Sequence, residues 1–590
     1  MRLAFDCETD GLLRDLTDIH CLVIKDLDTG LVERFDNHKN NRYSITEGLS
    51  QLMVAKEIWG HNAIGFDLEA IASIYPFFND CTATCYDTLI LSRLFFTDML
   101  DRDFRTRPVN MPANLYGRHS LKSWGYRLGV LKSEYGEQLE GDWSTYTDEM
   151  LEYCVQDVEV TAKLVELFQP KMEQYAKPIA IEHDLARIMS WQERKGFPFD
   201  VPKAHKLESK VRQELDTLSD EMRSTFVWVD GGNFIPARPN KNKGYVKGAE
   251  FCRLKEFNPT SRQHIAFAFE NYRGWEPHEK TDTGRAKIDE KILEEIDTDE
   301  SKKFARILTL QKQLGQLSEG KNAWLKQVDK EGRIHHSCVL NTNTGRQAHM
   351  RPNLAQVNSN HESRELFHPG AGRVQIGADA SSLELRCLAH YLARYDGGTF
   401  AKEVVEGDIH SYMAAISKVD RKTQKSVTYC LIYGGGDFKL GLTAGASKQQ
   451  AVQRGKELRK KLLTGIKGFK ELNDAIQKRA QHGVVTALDS RPIRLQGKNH
   501  AALNYLLQSA GAIICKLWVL RTTQLLKEAK IDYWPLAFVH DEMQLSVLPD
   551  HAEEACKLIK QAMKDVRTEL AFRCELDSDT QIGRTWADTH

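Results

Sequence analysis

The chain has few prolines, no long apolar run and no excess of either charge. Only 16 of its 590 residues are proline, below the typical share of about 5%, and no Pro- or Ser-rich stretch is typical of a linker. No run approaches the ~20 apolar residues needed to cross a bilayer, and the charged start MRLAFDCETD lacks a signal-peptide core. We therefore expect directly packed units and no membrane association.

Paired cysteines are also missing. The 12 cysteines occur singly, and the close pair Cys81 and Cys85 has no second pair at zinc-site spacing, which favours reduced thiols in a cytoplasmic protein. The 81 Lys and Arg nearly balance the 82 Asp and Glu. This balance argues against a nonspecific polycation, so any nucleic acid is expected to bind in a local groove.

The length of 590 residues predicts three to five units at about 100–200 residues each. Residues 1–175 alternate β-type runs with helical stretches, which predicts an α/β domain. An apolar stripe over 201–226 predicts a long helix. Residues 302–324 predict another helix with a basic polar face. That face is either exposed to solvent without a partner or a surface that binds DNA. Mixed α/β patterning returns after 331, with a helical interruption over about 401–485.

A basic segment lies between those two helical blocks. Within residues 238–255 Glu250 is the only acid, and the segment is a loop or a small insertion. It either contacts duplex phosphates directly or is a solvated loop without a partner. Its basic residues are Arg238, Lys241, Lys243, Lys247, Arg253 and Lys255.

Four carboxylates in the first block form an ordered pattern. Asp6 and Glu8 are spaced D-x-E in a strand, so they point to one face. Asp67 follows a Gly-Phe pair, and Asp157 follows Tyr153 by four residues, on the same helix face. Each acid alone is more often structural. Together they would repel strongly unless divalent cations neutralised them, and two Mg²⁺ ions about 3.5–4 Å apart support phosphodiester hydrolysis.

Two further aspartates follow apolar, strand-like runs. Asp379 ends VQIGAD within the strand-like run VQIGADASSLEL, and Asp541 lies in VHDE within the strand-like run LAFVHDEMQLSV. A buried acid needs a partner or a metal, so the two are a second candidate two-metal site. Buried strand aspartates also cap turns, and neither residue is decisive alone.

The predicted helix from Arg421 strengthens this second site. Arg421, Lys425, Tyr429 and Tyr433 recur every four residues, which places them on one slowly drifting stripe. Cations at the head of the stripe suit a triphosphate, and aromatics further along suit a base or sugar. Neither a core helix nor a salt-bridged surface helix explains this combination.

These motifs resemble known families. The set D-x-E, G-F-D, Y-x-x-x-D resembles the 3′–5′ proofreading exonuclease domain of the DnaQ-like superfamily, an RNase H-like fold. RKTQKSVTYCLIYG resembles motif B of family A DNA polymerases, DASSLELR (379–386) motif A and VHDE (539–542) motif C. TGR (344–346) with PNLAQV (352–357), and the N-x3-Q spacing of Asn504 and Gln508, match the same family.

Longer stretches resemble the replicative polymerases of T-seven-type podophages over nearly the whole chain. They include IEHDLARIMSWQERKGFPFD (181–200), GQLSEGKNAWL (315–325) and ALNYLLQSAGAIICKLW (502–518). The resemblance implies a multi-domain α/β protein, an exonuclease domain followed by a right hand. The implied domains are an exonuclease (1–175), a thumb (176–330) with a short basic insertion at about 227–256, a palm (331–400 and 500–590) and fingers (401–499).

The resemblance also implies roles for the polymerase residues. Asp379 and Asp541 would hold two Mg²⁺ ions, for which Mn²⁺ is a candidate substitute, with the Ala380 carbonyl as a further ligand. Lys425 would act as general acid for pyrophosphate. Glu384 matches the steric gate against a ribose, Tyr429 implies ready acceptance of dideoxynucleotides, and Tyr433 would pack at the templating position. Triphosphate contacts would be Arg421, Lys425 and His410; minor-groove contacts would be Arg346, Asn504, Gln508 and His540.

The exonuclease residues are all retained, so proofreading is expected. Asp6, Glu8, Asp67 and Asp157 would hold its two Mg²⁺ ions, and Tyr153 would orient the attacking water. The implied partners are primer–template DNA and dNTPs, with a phage helicase–primase and a single-stranded DNA-binding protein as further candidates. Podophage relatives carry a long thumb loop that captures host thioredoxin. Only about 30 residues separate Phe226 from Phe257 here, so that partnership is doubtful.

Three other interpretations compete with a phage replicative polymerase. One is a DNA-degrading exonuclease whose second half only holds duplex, which unchanged activity in Asp541→Ala would favour. Another is a catalytically silent DNA-binding module, which the retained metal ligands oppose. The third is a host repair polymerase; no 5′-nuclease domain precedes the exonuclease motifs, and the podophage-like segments favour a viral enzyme.

Overall fold

The computed structural model describes residues 1–38, 43–130, 143–281, 283–358 and 360–590. The chain forms two compact units. Unit 1 comprises residues 1–196, 336–355 and 369–590, and unit 2 comprises residues 197–335 and 356–368. The predicted metal-binding, nucleotide-binding and minor-groove residues lie in unit 1, and the basic segment 238–255 lies in unit 2.

The N-terminal part of unit 1 is built on a mixed five-stranded sheet of order β3-β2-β1-β4-β5. Strand β1 runs antiparallel to β2 and parallel to β4, and it is buried along most of its length. Its strands are β1 Arg2–Thr9, β2 Ile19–Asp26, β3 Val32–Asp36, β4 Glu57–Gly60 and β5 Thr84–Asp87, and its helices are α1 Ile45–Val54, α2 Asp67–Ile74, α3 Thr88–Phe95, α4 Met99–Thr106, α5 Leu121–Leu128, α6 Asp148–Phe168 and α7 Ala176–Lys195.

The C-terminal part of unit 1 has a four-stranded antiparallel sheet of order β15-β16-β12-β17. Its strands are β12 Val374–Ala380, β15 Tyr533–Val539, β16 Glu542–Val547 and β17 Ser578–Gly583, and its helices are α14 Leu383–Asp396, α21 Ala502–Glu528 and α22 Ala552–Glu569. Helix α21 belongs to a helical segment, 499–528, that is long and apolar enough to cross a membrane. Because 72% of its apolar window is buried inside the protein, it has the character of a core helix.

A group of helices separates strand β12 from helix α21 along the chain. These helices are α15 Thr399–Val405, α16 Ile409–Ser417, α17 Arg421–Ile432, α18 Asp437–Thr443, α19 Lys448–Gly465 and α20 Phe469–Ala480. Two small antiparallel sheets complete unit 1: β10 Ser337–Val339 with β11 Ala348–Met350, and β13 Val484–Thr486 with β14 Pro492–Arg494.

Unit 2 has its own apolar core, which includes Phe226, Phe257, Phe269 and Phe304. Its long helix, Val201–Thr225, is the helix predicted from the apolar stripe over residues 201–226. The basic segment is more ordered than a loop, because two antiparallel strands, β7 and β8, frame it. The elements are β6 Phe197–Pro198, α8 Val201–Thr225, β7 Trp228–Phe234, β8 Phe251–Glu256, α9 Arg262–Arg273, α10 Glu290–Ile296, α11 Asp299–Leu314, α12 Trp324–Gln327, β9 Arg333–Ile334 and α13 His361–Arg364.

Two local expectations need correction. The run LAFVHDEMQLSV is a hairpin, because the chain turns at His540 and Asp541. The run VQIGADASSLEL is a strand only to Ala380, and helix α14 starts at Leu383. Helix α7, within the implied thumb, lies in unit 1, where Ile181 and Leu185 join the large core; the thumb boundary stays a prediction.

Candidate active sites

The first acidic centre lies on strand β1. Asp6 and Glu8, two residues apart, share one face of the strand, and Asp6 is only 8% exposed. Cys154 of helix α6 donates its thiol to the backbone carbonyl of Asp6 (3.3 Å). One carboxylate oxygen from each acid and the Cys154 Sγ all lie within 4.8 Å of one another. Sequence reasoning did not select Cys154, although it directly follows Tyr153 and precedes Asp157 by three residues.

Asp67 joins this centre through strand β1. It is the first residue of helix α2, and its Oδ1 accepts from the backbone N–H (3.4 Å) and the thiol (3.3 Å) of Cys7. Cys7 lies between Asp6 and Glu8 in the sequence. Burial raises the pKa of Asp67 to about 6, although the hydrogen bonds from Cys7 oppose the shift. The third acid is therefore held at the same strand as the first two.

Asp157 and Tyr153 lie on helix α6, which packs on strand β1. Asp157 is buried and follows Cys154 by three residues, so the two share one side of the helix. Tyr153 is half-buried, and its ring centroid is 6.1 Å from that of Trp143. Helix α6 thus brings the fourth predicted acid to the strand that carries the first two.

The second acidic centre combines a strand end with a hairpin turn. Asp379 lies near the end of β12, in register with Glu542 on one side and Asp579 on the other. Asp541 is the second residue of the two-residue turn between β15 and β16, and His540 before it has a positive φ of 58°. The backbone N–H of Ala380 donates to the Asp541 carbonyl (3.0 Å), which joins the two elements.

Both aspartates resist ionisation. Partial removal from water and the charge of Asp541 raise the pKa of Asp379 to about 7. Burial and the charge of Glu384 raise the pKa of Asp541 to about 6. Adjacent carboxylates destabilised in their charged form are relieved by a cation, and oxygen donors of this kind suit Mg²⁺. The residues present therefore fit the two-metal site that the family resemblance implies.

Glu542 was not selected from the sequence, although it directly follows Asp541. Its buried carboxylate accepts from Gln544 Nε2 (2.6 Å) and Trp586 Nε1 (2.5 Å) and pairs with His590 Nδ1 (2.9 Å). Burial raises the pKa of Glu542, but these hydrogen bonds, led by that of His590, outweigh burial and hold the pKa below its usual value. The carboxylate is thus occupied by protein donors on both oxygens.

The predicted stripe of cations and aromatics that begins at Arg421 lies along the outward side of helix α17. Arg421 and Lys425 are exposed, Tyr429 is half-buried, and Tyr433 directly follows the helix and is 44% exposed. The rings of Tyr429 and Tyr433 are stacked at 6.1 Å between centroids. The opposite side, with Gln424, Val427, Thr428 and Leu431, is buried. Cations and aromatics are therefore presented along one open face.

An acid not selected from the sequence pairs with the first cation. Asp408 caps helix α16 by accepting from the N–H groups of His410 and Ser411, and Arg421 Nε donates to its Oδ2 (2.6 Å). The hydrogen bond from Arg421 is the main reason that the pKa of Asp408 is lowered. Burial and the nearby Lys425 charge lower the pKa of His410, which disfavours its charged form. The G-D-I-H sequence, typical of a helix N-cap, was the available signal.

Glu384 links the stripe to the second acidic centre. Its Oε1 accepts from Tyr433 Oη (2.8 Å) and lies 3.5 Å from Arg346 Nη2. Asn504 Nδ2 donates to the Tyr433 carbonyl (3.2 Å), and Gln508 Nε2 donates to Asn504 Oδ1 (2.9 Å). Arg346, Glu384, His540 and Asp541 line one cleft. The structure therefore brings together residues that are up to 195 positions apart in the chain.

A buried ionic cluster supports the segment before Arg346. Glu182 accepts from Lys516 Nζ and Arg491 Nη1 (2.6 Å each), Lys516 donates to the Leu340 carbonyl (2.7 Å), and Arg491 donates to Asn341 Oδ1 (2.7 Å). Burial lowers the pKa of Lys516 to about 8, although Glu182 opposes the shift. A lysine in the apolar run LLQSAGAIICKLW was the sequence signal for this cluster.

Comparison with solved structures first identifies the class of the fold. The chain resembles the POL domain of Pol1 from M. smegmatis, a structure described as a complex with DNA primer–template and dNTP. The TM-score is 0.74 and the identity 19%, with 99% of this chain and 96% of that chain covered. This likeness confirms the expected architecture of a family A polymerase fold.

Sequence comparison then assigns the family. The model of DNA polymerase family A matches residues 243–588. The chain is 32% identical to the DNA-directed DNA polymerase of Escherichia phage T7, with 99% of both sequences covered, and 31% identical to that of Enterobacteria phage T3, with 100% of both covered. The chain belongs to DNA polymerase family A, as the motifs predicted.

Proposed function

We propose that this protein is a replicative DNA-directed DNA polymerase that extends primer 3′ ends with dNTPs and proofreads its products with a 3′–5′ exonuclease. The observation that carries the proposal is the junction of Asp379 and Asp541 at one end of the inner strands of the sheet. In the same unit Glu384 is bonded to Tyr433, which follows the cationic helix. We assign it to phage genome replication in the bacterial cytoplasm.

Asp379 and Asp541 would hold two Mg²⁺ ions, with the Ala380 carbonyl as a further ligand and Mn²⁺ as a substitute. Bound Mg²⁺ supplies Lewis-acid chemistry, lowering the pKa of the primer 3′-hydroxyl and neutralising the charge of the phosphates. The raised pKa values of both aspartates are consistent with a pair arranged for cations.

Arg421, Lys425 and His410 would bind the triphosphate of the incoming nucleotide. Arg421 is paired with Asp408, so the phosphate must replace that carboxylate as its partner. Both groups are exposed, so exchanging one anionic partner for another has a small energetic cost. Lys425 is positioned one turn further along the helix and would donate a proton to departing pyrophosphate.

Glu384 and the two tyrosines would select the sugar and the template base. The hydrogen bond from Tyr433 (2.8 Å) fixes the Glu384 carboxylate where it would exclude a ribose 2′-hydroxyl. Tyr429 implies that dideoxynucleotides are incorporated readily, and Tyr433 would pack at the templating position. Arg346, Asn504, Gln508 and His540 would contact the minor groove, where acceptors are shared by all base pairs.

The first acidic centre would carry the exonuclease. Asp6, Glu8, Asp67 and Asp157 would hold two Mg²⁺ ions, and Tyr153 would orient the attacking water. The burial of Asp6 and Asp67 beside Cys154 and Cys7 supports a small site that accepts a single strand end. Such a site suits removal of mispaired nucleotides.

The basic hairpin of unit 2 would grip duplex phosphates. Arg238, Lys241, Lys243 and Lys247 are exposed between strands β7 and β8. Changing Lys241, Lys243 and Lys247 to Gln is expected to lower the slope of log affinity against log salt by about one unit per lost phosphate contact. The matched control changes Lys557, Lys560 and Lys564 of helix α22, also exposed, and is expected to leave the slope unchanged. An unaltered slope in the hairpin variant would favour a solvated loop.

The deciding experiment is single-encounter primer extension with Mg²⁺ and dNTPs under excess trap DNA, with and without thioredoxin. We expect extension of equal length in both lanes, because the thumb insertion is short. The alignment to the T7 polymerase runs over 709 positions, more than the 590 residues here, so that relative has segments absent from this chain. Products lengthened by thioredoxin would show that the short hairpin suffices for that partner.

The same assay separates polymerase from the competing exonuclease function. Wild-type protein that only shortens primers, with Asp541→Asn unchanged, would contradict the polymerase proposal and favour a nuclease that merely holds duplex. A helicase–primase and a single-stranded DNA-binding protein remain the further partners that we propose. Coupled assays with those proteins would test them.

A further inference from the structure

We infer that His336, Cys338 and His349 form a binding site for a thiophilic divalent metal, Zn²⁺, distinct from both acidic centres. Cys338 on β10 is directly opposite His349 on β11 in the antiparallel register. His336 precedes β10 by one residue and lies two positions before Cys338, so it is on the same face of the chain as Cys338. Two imidazoles and one thiol therefore meet across one small sheet.

The distances are close to those of a bound metal. One ligand atom from each of the three residues lies within 4.8 Å of the others, and Cys338 Sγ is 3.1 Å from His349 Nδ1. Zinc–nitrogen and zinc–sulfur bonds in tetrahedral sites place a nitrogen and a sulfur roughly 3.5 Å apart. Separating Cys338 Sγ and His349 Nδ1 by a few tenths of an ångström would give this pair the spacing of two ligands of one ion.

The surroundings of the two histidines favour metal binding. His336 and His349 are 1% and 7% exposed, and the ring nitrogen of His349 that faces Cys338 Sγ is Nδ1. Gln192 Nε2 lies 3.0 Å from His336 Nε2, while Gln192 Oε1 has no hydrogen-bond partner in the described structure. If the Gln192 side-chain amide is rotated by half a turn, its Oε1 accepts a hydrogen bond from His336 Nε2–H. The ring proton of His336 then resides on Nε2, and Nδ1 is the deprotonated nitrogen that would bind a metal.

The donor set selects the metal. One sulfur and two imidazole nitrogens suit Zn²⁺ or Co²⁺ and do not suit Mg²⁺, which prefers oxygen. Cys338 is only half-buried, so the ion can enter on its side and keep a water as fourth ligand. On binding, a sulfur–metal bond forms and the thiol proton passes to solvent, with no change of oxidation state.

The site adjoins the polymerase centre without being part of it. The connection between β10 and β11 contains Arg346, and the His349 ring lies 6.2 Å from the His540 ring, nearly perpendicular to it. A metal would cross-link the two strands at the base of that connection. The inference does not rest on the proposed function, because it concerns binding alone.

The test is a Co²⁺ titration of the full-length reduced chain in excess Mg²⁺, which fills the oxygen sites. We expect a thiolate-to-cobalt charge-transfer absorption that saturates at one ion per chain and disappears when Zn²⁺ is added. The band should be lost in Cys338→Ser and kept in two controls, Cys252→Ser, an exposed thiol, and Cys154→Ser. Circular dichroism would verify that each variant is folded.

Cys154 is the critical control, because it groups with Asp6 and Glu8. Loss of the band in Cys154→Ser with retention in Cys338→Ser would assign the metal to the first acidic centre and overturn the inference, as would the absence of any band. A second measurement needs no variant. Zn²⁺ is expected to slow alkylation of Cys338 at least tenfold without changing that of Cys252, as followed by mass spectrometry, and equal labelling of Cys338 would contradict the site.

Discussion

The two acidic centres of unit 1 use the same residue type in different settings. In the first, Asp6 and Asp67 are buried, and partners for them come from the backbone or thiol of Cys7 and Cys154. In the second, Asp379 is exposed near a strand end and Asp541 lies in a hairpin turn. The first centre is therefore built on buried acids, whereas the second combines an exposed aspartate with a half-buried one in a turn.

The difference also concerns how each carboxylate is controlled. Burial is the largest cause of the raised pKa at Asp67, Asp379 and Asp541. The charge of a neighbouring acid is the second cause at Asp379 and Asp541, whereas at Asp67 the charge of Asp87 is a smaller contribution than the hydrogen bonds from Cys7. A bound cation reduces the repulsion between neighbouring carboxylates, but it does not change how deeply these carboxylates are buried. The second centre is therefore expected to depend more strongly on Mg²⁺, and four predictions test this contrast.

The largest expected effect is the loss of synthesis in Asp541→Asn. Removing one of two metal-binding carboxylates costs several kcal/mol of transition-state stabilisation, so primer extension should fall by at least about 10³-fold. Degradation of single-stranded 3′ ends should stay within about twofold of wild type, because the first centre is untouched. The control is Asp550→Asn, an exposed acid. A parallel loss of both activities would show that the two centres are not independent.

The reciprocal variant is Asp6→Asn with Glu8→Gln. Exonuclease activity on a 3′-labelled single strand should fall by about 10²–10³-fold, for the same reason of lost cation binding. Primer extension should remain, and mispaired ends should persist in the products. Retained degradation would mean that strand β1 does not carry the nuclease.

A smaller effect is expected for Cys154→Ala. This change removes the hydrogen bond from the thiol to the Asp6 carbonyl (3.3 Å), an interaction worth about 1 kcal/mol. Exonuclease turnover should fall roughly fivefold, with primer extension unchanged. Cys252→Ser is the comparison variant. If Cys154→Ala behaves as wild type, the thiol only fills space beside the acids.

The smallest expected effect is on stability without metal. Because the pKa values of Asp379 and Asp541 are raised to about 7 and 6 on folding, the folded chain binds more protons than the unfolded chain between about pH 4 and 7. Their contribution to the free energy of unfolding therefore falls as pH rises through that window. In EDTA, the double Asn variant should have a Tm a few degrees above that of wild type at pH 8, and the gap should close near about pH 4.

Mg²⁺ provides the check on this assignment. It should raise the Tm of the wild type at pH 8 by binding the folded state, and should raise that of the double Asn variant less. An unchanged gap across the pH range would show that the two carboxylates titrate normally in the folded chain.

Local periodicity made much of this site predictable. The two-residue spacing of Asp6 and Glu8 required one strand face, and the four-residue spacing from Arg421 to Tyr433 required one helix stripe. Both expectations depend only on residues close together in the sequence. The structure has strand β1 at Arg2–Thr9 and helix α17 at Arg421–Ile432, as predicted. The pattern of motifs identified the family, which the comparisons confirm.

Other features depended on contacts between distant segments. Alternation of apolar residues cannot reveal that a strand folds back on itself, so the pattern around His540 and Asp541 predicts a continuous strand where the structure has a hairpin. The partners of Glu542 in Trp586 and His590, and of Glu182 in Arg491 and Lys516, lie 44 to 334 positions away. The pairing of Cys154 with Asp6 has the same origin. Arg421 and Asp408 are only 13 positions apart, and their pairing depends on the packing of two neighbouring helices, α16 and α17.

The sequence alone determined the family, the residue types of both centres and the local elements that carry them, because these follow from short-range spacing and side-chain chemistry. Only the tertiary structure decided which acids meet, which are buried and which are bonded to protein donors. Those outcomes depend on how sheets and helices pack across hundreds of residues. Burial and neighbouring charge, the two terms that set the pKa of a carboxylate, are properties of that packing.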